Sequence, residues 1–350
     1  MTVEDRRIAA LSGAVGALLC LIALAMASMD AHAALTGWLA AFAFVSALPL
    51  GSLCLALTLR IIPGQWREML QPQTDLVALG FPLLIVLVLP VLFGLPDIYP
   101  WAGGAELSGF KAAYLAPAFF AVRTLVILCG ASLLVIALRR QPPGRAALSV
   151  FGLVAFVPLH GVLSVDWLMS LDPKFHSSGF GLYILAAQVL TAFAALIVFR
   201  LPGRGEKQIA VFGPLLLTLL LLWAYVAFMQ YFILWSGNLP PGVAWYRQRG
   251  EGGWAIVEYL MAASRLLPAF LLFFPPIRGH RRFLIALSVI VLFGGLLECA
   301  WLVLPSAGAG MGLATASFGL ALIGMLLLYP SAIFLGAAAV AAKARRRRSA

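Results

Sequence analysis

Stretches of about 20 residues with almost no charge follow one another through most of this chain. A bilayer core about 30 Å thick is crossed by roughly 20 apolar residues in an α-helix. Runs near 8–27, 35–59, 76–94, 112–138, 147–168, 179–199, 209–235, 254–276, 283–304 and 313–338 fit that length. They are continuously apolar rather than alternating, which excludes a β-barrel. Only 11% of residues are charged, against about 25% in a soluble domain, too few to cover a water-facing surface. The fold class is therefore all-α: a polytopic membrane protein with about ten transmembrane helices.

Charge orients the helices. If the connecting segments are numbered alternately, one set holds 18 of the 24 Lys and Arg and the other only Lys111, Lys174, Arg247 and Arg249. Arg123 and Arg265 lie within spans. This positive-inside asymmetry predicts that both termini are cytoplasmic. It also accounts for the net charge of +11 without nucleic acid. The run Lys343–Arg348 reads as a topology anchor beside anionic lipid. At the other end, Arg6-Arg7, an apolar run and Ala31-His32-Ala33 imitate a signal peptide. The apolar run exceeds the 7–15 residues of a signal core, so a retained first helix is expected.

Several chemistries find no residues. The four Cys sit singly in apolar spans and no Cys-x-x-Cys occurs, so neither a zinc site nor an iron–sulfur cluster is expected in this chain. Of four His only His160 lies in a span, too few for a haem with two axial His between helices. A redox centre must then be a diffusible molecule or belong to a partner.

Ionisable residues inside spans are costly unless paired, hydrated or used. Arg123 is expected about 18 Å along a helix from Lys111, near the midplane. It is either a structural charge bonding carbonyls or one carboxylate, or part of a polar cavity. The stretch Pro158–Tyr183 holds His160 and Asp166, six apart and so on different helix faces. His160 shares a face with Ser164 and Trp167. It reads as a satisfied core histidine or a proton-path group, Asp166 as an interfacial or a functional carboxylate. Asp75 is placed as N-cap of the third span. Pro49 and Gly51 in the second span suit close helix contact. Glu258 and Arg265 lie on one stripe of the eighth span, about 10 Å apart, too far to pair directly. Glu298 lies in the outer third of the ninth.

An internal repeat emerges. Leu95-Pro96 precedes Trp101 as Leu239-Pro240 precedes Trp245. The next span in each case carries Pro-Ala-Phe (117–119 and 268–270) and an Arg (123 and 265). The span after ends with a carboxylate and a Trp (Asp166-Trp167; Glu298 with Trp301). Two parallel four-helix bundles, 35–178 and 179–304, are expected, flanked by one peripheral helix each (1–34 and 305–350). Parallel repeats of this kind are common in transporters but not confined to them.

Depth points to chemistry. His160, Asp166, Glu258 and Glu298 all fall in the middle or outer membrane, beneath a rim of seven Trp. Titratable groups under an aromatic rim suit an amphipathic ring that exchanges protons with the outside. A quinol fits, with a carboxylate or His accepting its protons. Trp101, Trp235 and Trp245 and the outer loop 237–253 are candidate partner contacts.

Three segments carry a family resemblance: Tyr114-Leu-Ala-Pro-Ala-Phe-Phe-Ala-Val-Arg123; Val165-Asp-Trp-Leu-Met-Ser-Leu-Asp-Pro173 with Phe180-Gly-Leu-Tyr183; and Trp223-Ala-Tyr through Gln230-Tyr, Trp235 and Asn238-Leu-Pro240. Together, over spans 4 to 7, they resemble the smaller NrfD-like membrane subunit of alternative complex III, a bacterial quinol:cytochrome c oxidoreductase. The resemblance implies a ten-helix fold in the bacterial inner membrane. It implies periplasmic partners bearing multihaem c-type cytochromes and iron–sulfur clusters, a sister subunit of the same fold, and menaquinol or ubiquinol as ligand. Asp166 and Arg123 match motif positions of that family. His160, Glu258, Arg265 and Glu298 come from the residues alone. A quinol-facing or proton-conducting subunit is the leading expectation. A secondary transporter and a purely structural membrane anchor are the alternatives.

Overall fold

The computed structural model describes residues 3–104, 107–140, 146–201 and 206–348. All regular structure in them is helical. In chain order the helices are α1 (Val3–Ala25), α2 (Ala31–Ile61), α3 (Gln65–Val77), α4 (Phe81–Phe93), α5 (Leu95–Ile98), α6 (Gly109–Tyr114), α7 (Pro117–Arg140) and α8 (Ala147–Trp167). They continue as α9 (Phe180–Arg200), α10 (Glu206–Ser236), α11 (Pro240–Arg249), α12 (Gly253–Leu272), α13 (Pro275–Arg278), α14 (Arg281–Val303) and α15 (Met311–Arg348). Among the described residues nine segments are long and apolar enough to cross a membrane. The last, Arg281–Phe334, comprises α14 and the start of α15, separated by a break at Leu304–Gly310 where Gly308 has φ 52°. The chain is thus an all-α polytopic membrane protein. The connections 141–145 and 202–205 and the side chains of Lys343–Arg348, part of the charge asymmetry above, lie outside the described residues.

Two rings of four helices form the body. In the first, α2, α4, α7 and α8 each pack on the next and α8 closes on α2. In the second, α9, α10, α12 and α14 do the same. The first helices, α2 and α9, meet at the centre, and the fourth helix of each ring packs on the first of the other. That exchange is what a pseudo-twofold between repeats produces. It explains why α2 and α9 are buried along nearly their whole length while α7 and α12 bury one side only. Small residues allow the close crossings. A Cβ on Gly51 would strike the Gln188 carbonyl oxygen, and one on Gly181 would lie 2.8 Å from the Gly161 Cα. The terminal helices α1 and α15 pack on each other, with α15 also against α2. Gly16 and Gly324 face each other there.

Three local expectations change. Asp75 does not cap the third span: α3 begins at Gln65 and runs on through a tight turn at Ala78–Gly80 into α4. Its carboxylate instead takes the Arg60 guanidinium at 2.6 Å. The fourth span is not continuous from Lys111. Proline disfavours helix at the residue before it, and α6 ends at Tyr114 while α7 starts on Pro117. Finally, Pro117 opens α7 six residues before Arg123, whereas Pro268 lies inside α12 three residues after Arg265. The Pro-Ala-Phe match is therefore out of register with the Arg match, and the repeat rests on the Arg and carboxylate positions.

Candidate functional site

The helices alternate so that the segments 94–104, 107–116, 168–179, 237–252 and 304–310 gather at one end, the loop-rich end. Cross-links between them hold it together. Tyr99 Oη donates to the Trp167 carbonyl at 3.0 Å, and His32 bridges the carbonyls of Asp97 and Ser306. Asp166 and Glu298, the carboxylates of the two ring pairs, both lie within six residues of the ends of α8 and α14 here.

In the first ring, Asp166 is fully buried near the end of α8. Arg123 of α7 grips it twice, Nε to Oδ2 at 2.7 Å and Nη2 to Oδ1 at 2.8 Å. A bidentate, charge-assisted pair of this kind is strong and fixes both side chains. The break before Pro117 folds α6 back across the pair. Tyr114 Oη donates to Asp166 Oδ1 at 3.0 Å, its carbonyl accepts from Arg123 Nη1, and its ring lies 4.0 Å from the guanidinium carbon. With the helix starting at Pro117, Arg123 is six residues in, about 9 Å, rather than near the midplane.

Tyr114 also forms one wall of a groove of about 540 Å³. Pro158, Gly161 and Val165 of α8 make its apolar floor, and His176, Ser177 and Ser178 its lip. A volume of 300–1,000 Å³ is typical of small-molecule sites. His176 Nδ1 lies 2.8 Å from the Lys174 carbonyl. Since a carbonyl only accepts, Nδ1 carries the hydrogen and Nε2 of the neutral ring is left as a proton acceptor. The same loop residues border a second cavity of about 250 Å³ toward α10.

In the second ring the pair is sealed. Arg265 of α12 donates from Nη2 to Glu298 Oε2 at 2.8 Å, with side chains 0% and 3% exposed. Glu298 Oε1 accepts from Tyr183 Oη at 2.5 Å and Trp223 Nε1 at 2.8 Å. Arg265 Nε and Nη1 have no acceptor among the described residues. Gly294 and Gly295, one turn before Glu298, make room for the guanidinium. A Cβ on Gly295 would lie 3.0 Å from Nη2 and 2.8 Å from Thr191 Oγ1.

The remaining expected residues separate. His160 joins neither pair. It is buried with Nε2 2.8 Å from Gln188 Oε1, linking α8 to α9, and Ser164 on the same face is 3.4 Å from Nδ1. Glu258 is half-buried in a cleft with Tyr246, Arg247 and Gly250, away from Arg265. Of the three expected partner tryptophans only Trp235 is exposed, at 63%. Trp101 is buried against Tyr99 and Phe120, and Trp245 against Phe175 and Trp301, so neither offers a partner surface. Beside Trp245, Arg249 donates to the carbonyls of Trp245 and Leu302 and stacks on the indole. Burial pushes Arg249 down to about 10. Tyr114, His176, Tyr183 and Trp223 were not singled out from sequence. Tyr114, Tyr183 and Trp223 fall in motifs that were, but nothing in a linear sequence says which carboxylate an aromatic donor reaches.

Compared with protein-family models, the chain matches none, and no curated protein matches it.

Proposed function

We propose that this chain is an integral membrane subunit of a quinol-oxidising respiratory complex in the bacterial inner membrane, with its loop-rich end facing the periplasm. The observation that carries the reading is the groove beside Asp166: an apolar floor, a tyrosine wall hydrogen-bonded to a buried carboxylate, and a histidine lip with a free acceptor nitrogen. The ring of a ubiquinol or menaquinol fits such a site, with its tail along α8 toward lipid. The motif resemblance to an alternative complex III subunit supports the same assignment. It also supplies the partners: a periplasmic multihaem cytochrome, an iron–sulfur subunit and a sister membrane subunit.

Oxidation of a quinol to the quinone releases two protons and two electrons. His176 Nε2 takes one proton at the lip. The Tyr114 hydroxyl takes the other as it passes its own to Asp166 Oδ1, so Tyr114 ends neutral. Arg123 orients the carboxylate. The electrons leave to the partner subunits, since no cluster of three or more potential metal ligands occurs among the described residues.

The test is quinol turnover of the native complex with Asp166→Asn, Tyr114→Phe and His176→Gln. A positioned acid or base is worth about 10²–10⁴-fold. Asp166→Asn is expected to slow turnover about a hundredfold in complexes that still assemble and retain c-type haem. Normal turnover in all three assembled variants would sink the site. A chain that purifies alone and colourless while its native neighbours are expressed would sink the complex.

A further inference from the structure

The opposite, basic end carries a second built site that the quinol reading does not use. Arg60 and Arg139 are the penultimate residues of α2 and α7, and α3 runs between them. Together they enclose a cavity of about 350 Å³. Its polar wall is Arg60, Gln71, Asp75 and Arg139, and its apolar wall includes Leu76 and Leu138.

Its charges are organised. Arg60 is held in place, donating from Nη1 to the Ala56 carbonyl at 2.9 Å and from Nη2 to Asp75 at 2.6 Å. That pair is internally neutral. Gln71 Oε1 accepts from Arg67 Nε at 3.0 Å, which turns its amide NH₂ into the free end, a donor only. Arg139 is exposed and has no ion-pair partner among the described residues. Two Arg and one Asp leave one net positive charge, with guanidinium and amide donors beside a leucine wall. α3 also explains itself here: a spanning segment that begins Gln-Trp-Arg-Glu-Met-Leu-Gln-Pro-Gln-Thr-Asp is too polar for lipid tails and suits a headgroup layer.

We propose that this cavity binds a phosphodiester monoanion, and specifically the headgroup of an anionic phospholipid. Its single negative charge balances the site, its phosphate oxygens accept from Arg139 and Gln71, and its glycerol and first methylenes lie on Leu76 and Leu138. Basic pockets between helix ends are the geometry in which such headgroups are retained. An inorganic phosphate has no use for the leucine wall, which is why the lipid is the expected source.

The full chain, with whatever subunits accompany it, is reconstituted in phosphatidylglycerol or phosphatidylcholine nanodiscs, extracted, and the retained lipid counted by native mass spectrometry. One phosphatidylglycerol is expected to survive extraction and no phosphatidylcholine. A juxtamembrane Arg contributes about fivefold in affinity. Arg139→Gln is therefore expected to lower retention about fivefold, with Arg139→Lys largely retaining it. Gln71→Leu is expected to lower it less, and Lys111→Gln at the loop-rich end not at all. Equal retention in wild type and Arg139→Gln overturns the site. Displacement of the lipid by millimolar inorganic phosphate overturns the lipid assignment in favour of a free-phosphate site. Arg139 is exposed, so its substitution leaves the fold intact, and unchanged thermal unfolding in empty detergent checks this.

Discussion

The two rings carry the same pair of charges on corresponding helices, yet one pair lies behind the Tyr114 that lines a groove and the other is fully buried. Arg123 and Arg265 come from the third helix of each ring, Asp166 and Glu298 from the fourth. Two differences separate them. One is depth. Arg265 lies twelve residues into α12, about 18 Å, against about 9 Å for Arg123. The other is what stands one turn before the carboxylate. Gly294-Gly295 leaves a hollow that the Arg265 guanidinium fills, whereas α8 has Val162-Leu163 in that place and Arg123 stays toward the edge, 11% exposed. The extra donors follow suit. Glu298 takes its own from inside the ring, Tyr183 and Trp223, while Asp166 takes one from outside, the Tyr114 that α6 folds over it. An ion pair between corresponding helices is thus a strut in one half, and in the other it holds the Tyr114 that lines a groove.

The largest effect expected from this contrast is in the strut. Removing one partner of a buried ion pair leaves the other charge uncompensated, at about 3–5 kcal/mol. Glu298→Gln is expected to lower thermal stability and yield by that much. The double variant Arg265→Met/Glu298→Leu should recover only part of the loss: apolar replacements of similar volume are often neutral, but Tyr183 Oη and Trp223 Nε1 lose their acceptor, at about 1–3 kcal/mol each. Asp166→Asn should lose less stability and far more quinol turnover. Equal stability losses at Asp166 and Glu298 would break the distinction between the pairs.

A smaller effect tests the cause of the burial. Gly295→Ala places a methyl group within 3.0 Å of Arg265 Nη2 and against Thr191. Overpacking of this kind costs about 1–3 kcal/mol. Gly130→Ala on α7 meets nothing within 4 Å and gains helix propensity, so it is expected to be neutral or slightly stabilising. Urea or thermal unfolding of the two proteins in detergent measures the difference, and equal stabilities would remove the glycine hollow as the explanation.

How much of this was legible beforehand depends on the range of the interaction. Apolar runs and their alternation of charge gave helices such as α9 and α14 within a few residues, because crossing a bilayer is a property of one segment. The different faces of His160 and Asp166 followed from helix geometry alone, and the structure sends them to Gln188 and Arg123 respectively. The break before Pro117 also had a local signal, the proline itself, but a continuous apolar run masked it. The ion pairs had none. Arg265 reaches a residue 33 positions away on another helix, and helix geometry, which puts Glu258 too far along the stripe for a direct pair, does not name Glu298. The inward turn of Trp101 and Trp245 was equally hidden, since an aromatic rim and a buried aromatic cluster have the same composition.

That last pair of residues sets the smallest expected effect. Trp245 is stacked 4.4 Å from Phe175 and edge-on to Trp301, and truncating a buried aromatic costs about 3–5 kcal/mol. Trp235, ten residues earlier and 63% exposed at the end of α10, has no comparable packing to lose. Trp235→Ala should leave the chain's own stability within about 0.5 kcal/mol. If the loop-rich end docks periplasmic redox subunits, the exposed indole is one aromatic anchor available to them, beside Phe93 and Phe110, and Trp is the residue type most enriched among interface hot spots. Trp235→Ala is then expected to reduce the c-type haem that co-purifies with the chain while its unfolding curve stays in place. A destabilised Trp235→Ala would make this residue a packing element like Trp245. Unchanged stability together with unchanged haem recovery would move the docking surface elsewhere on the loop-rich end.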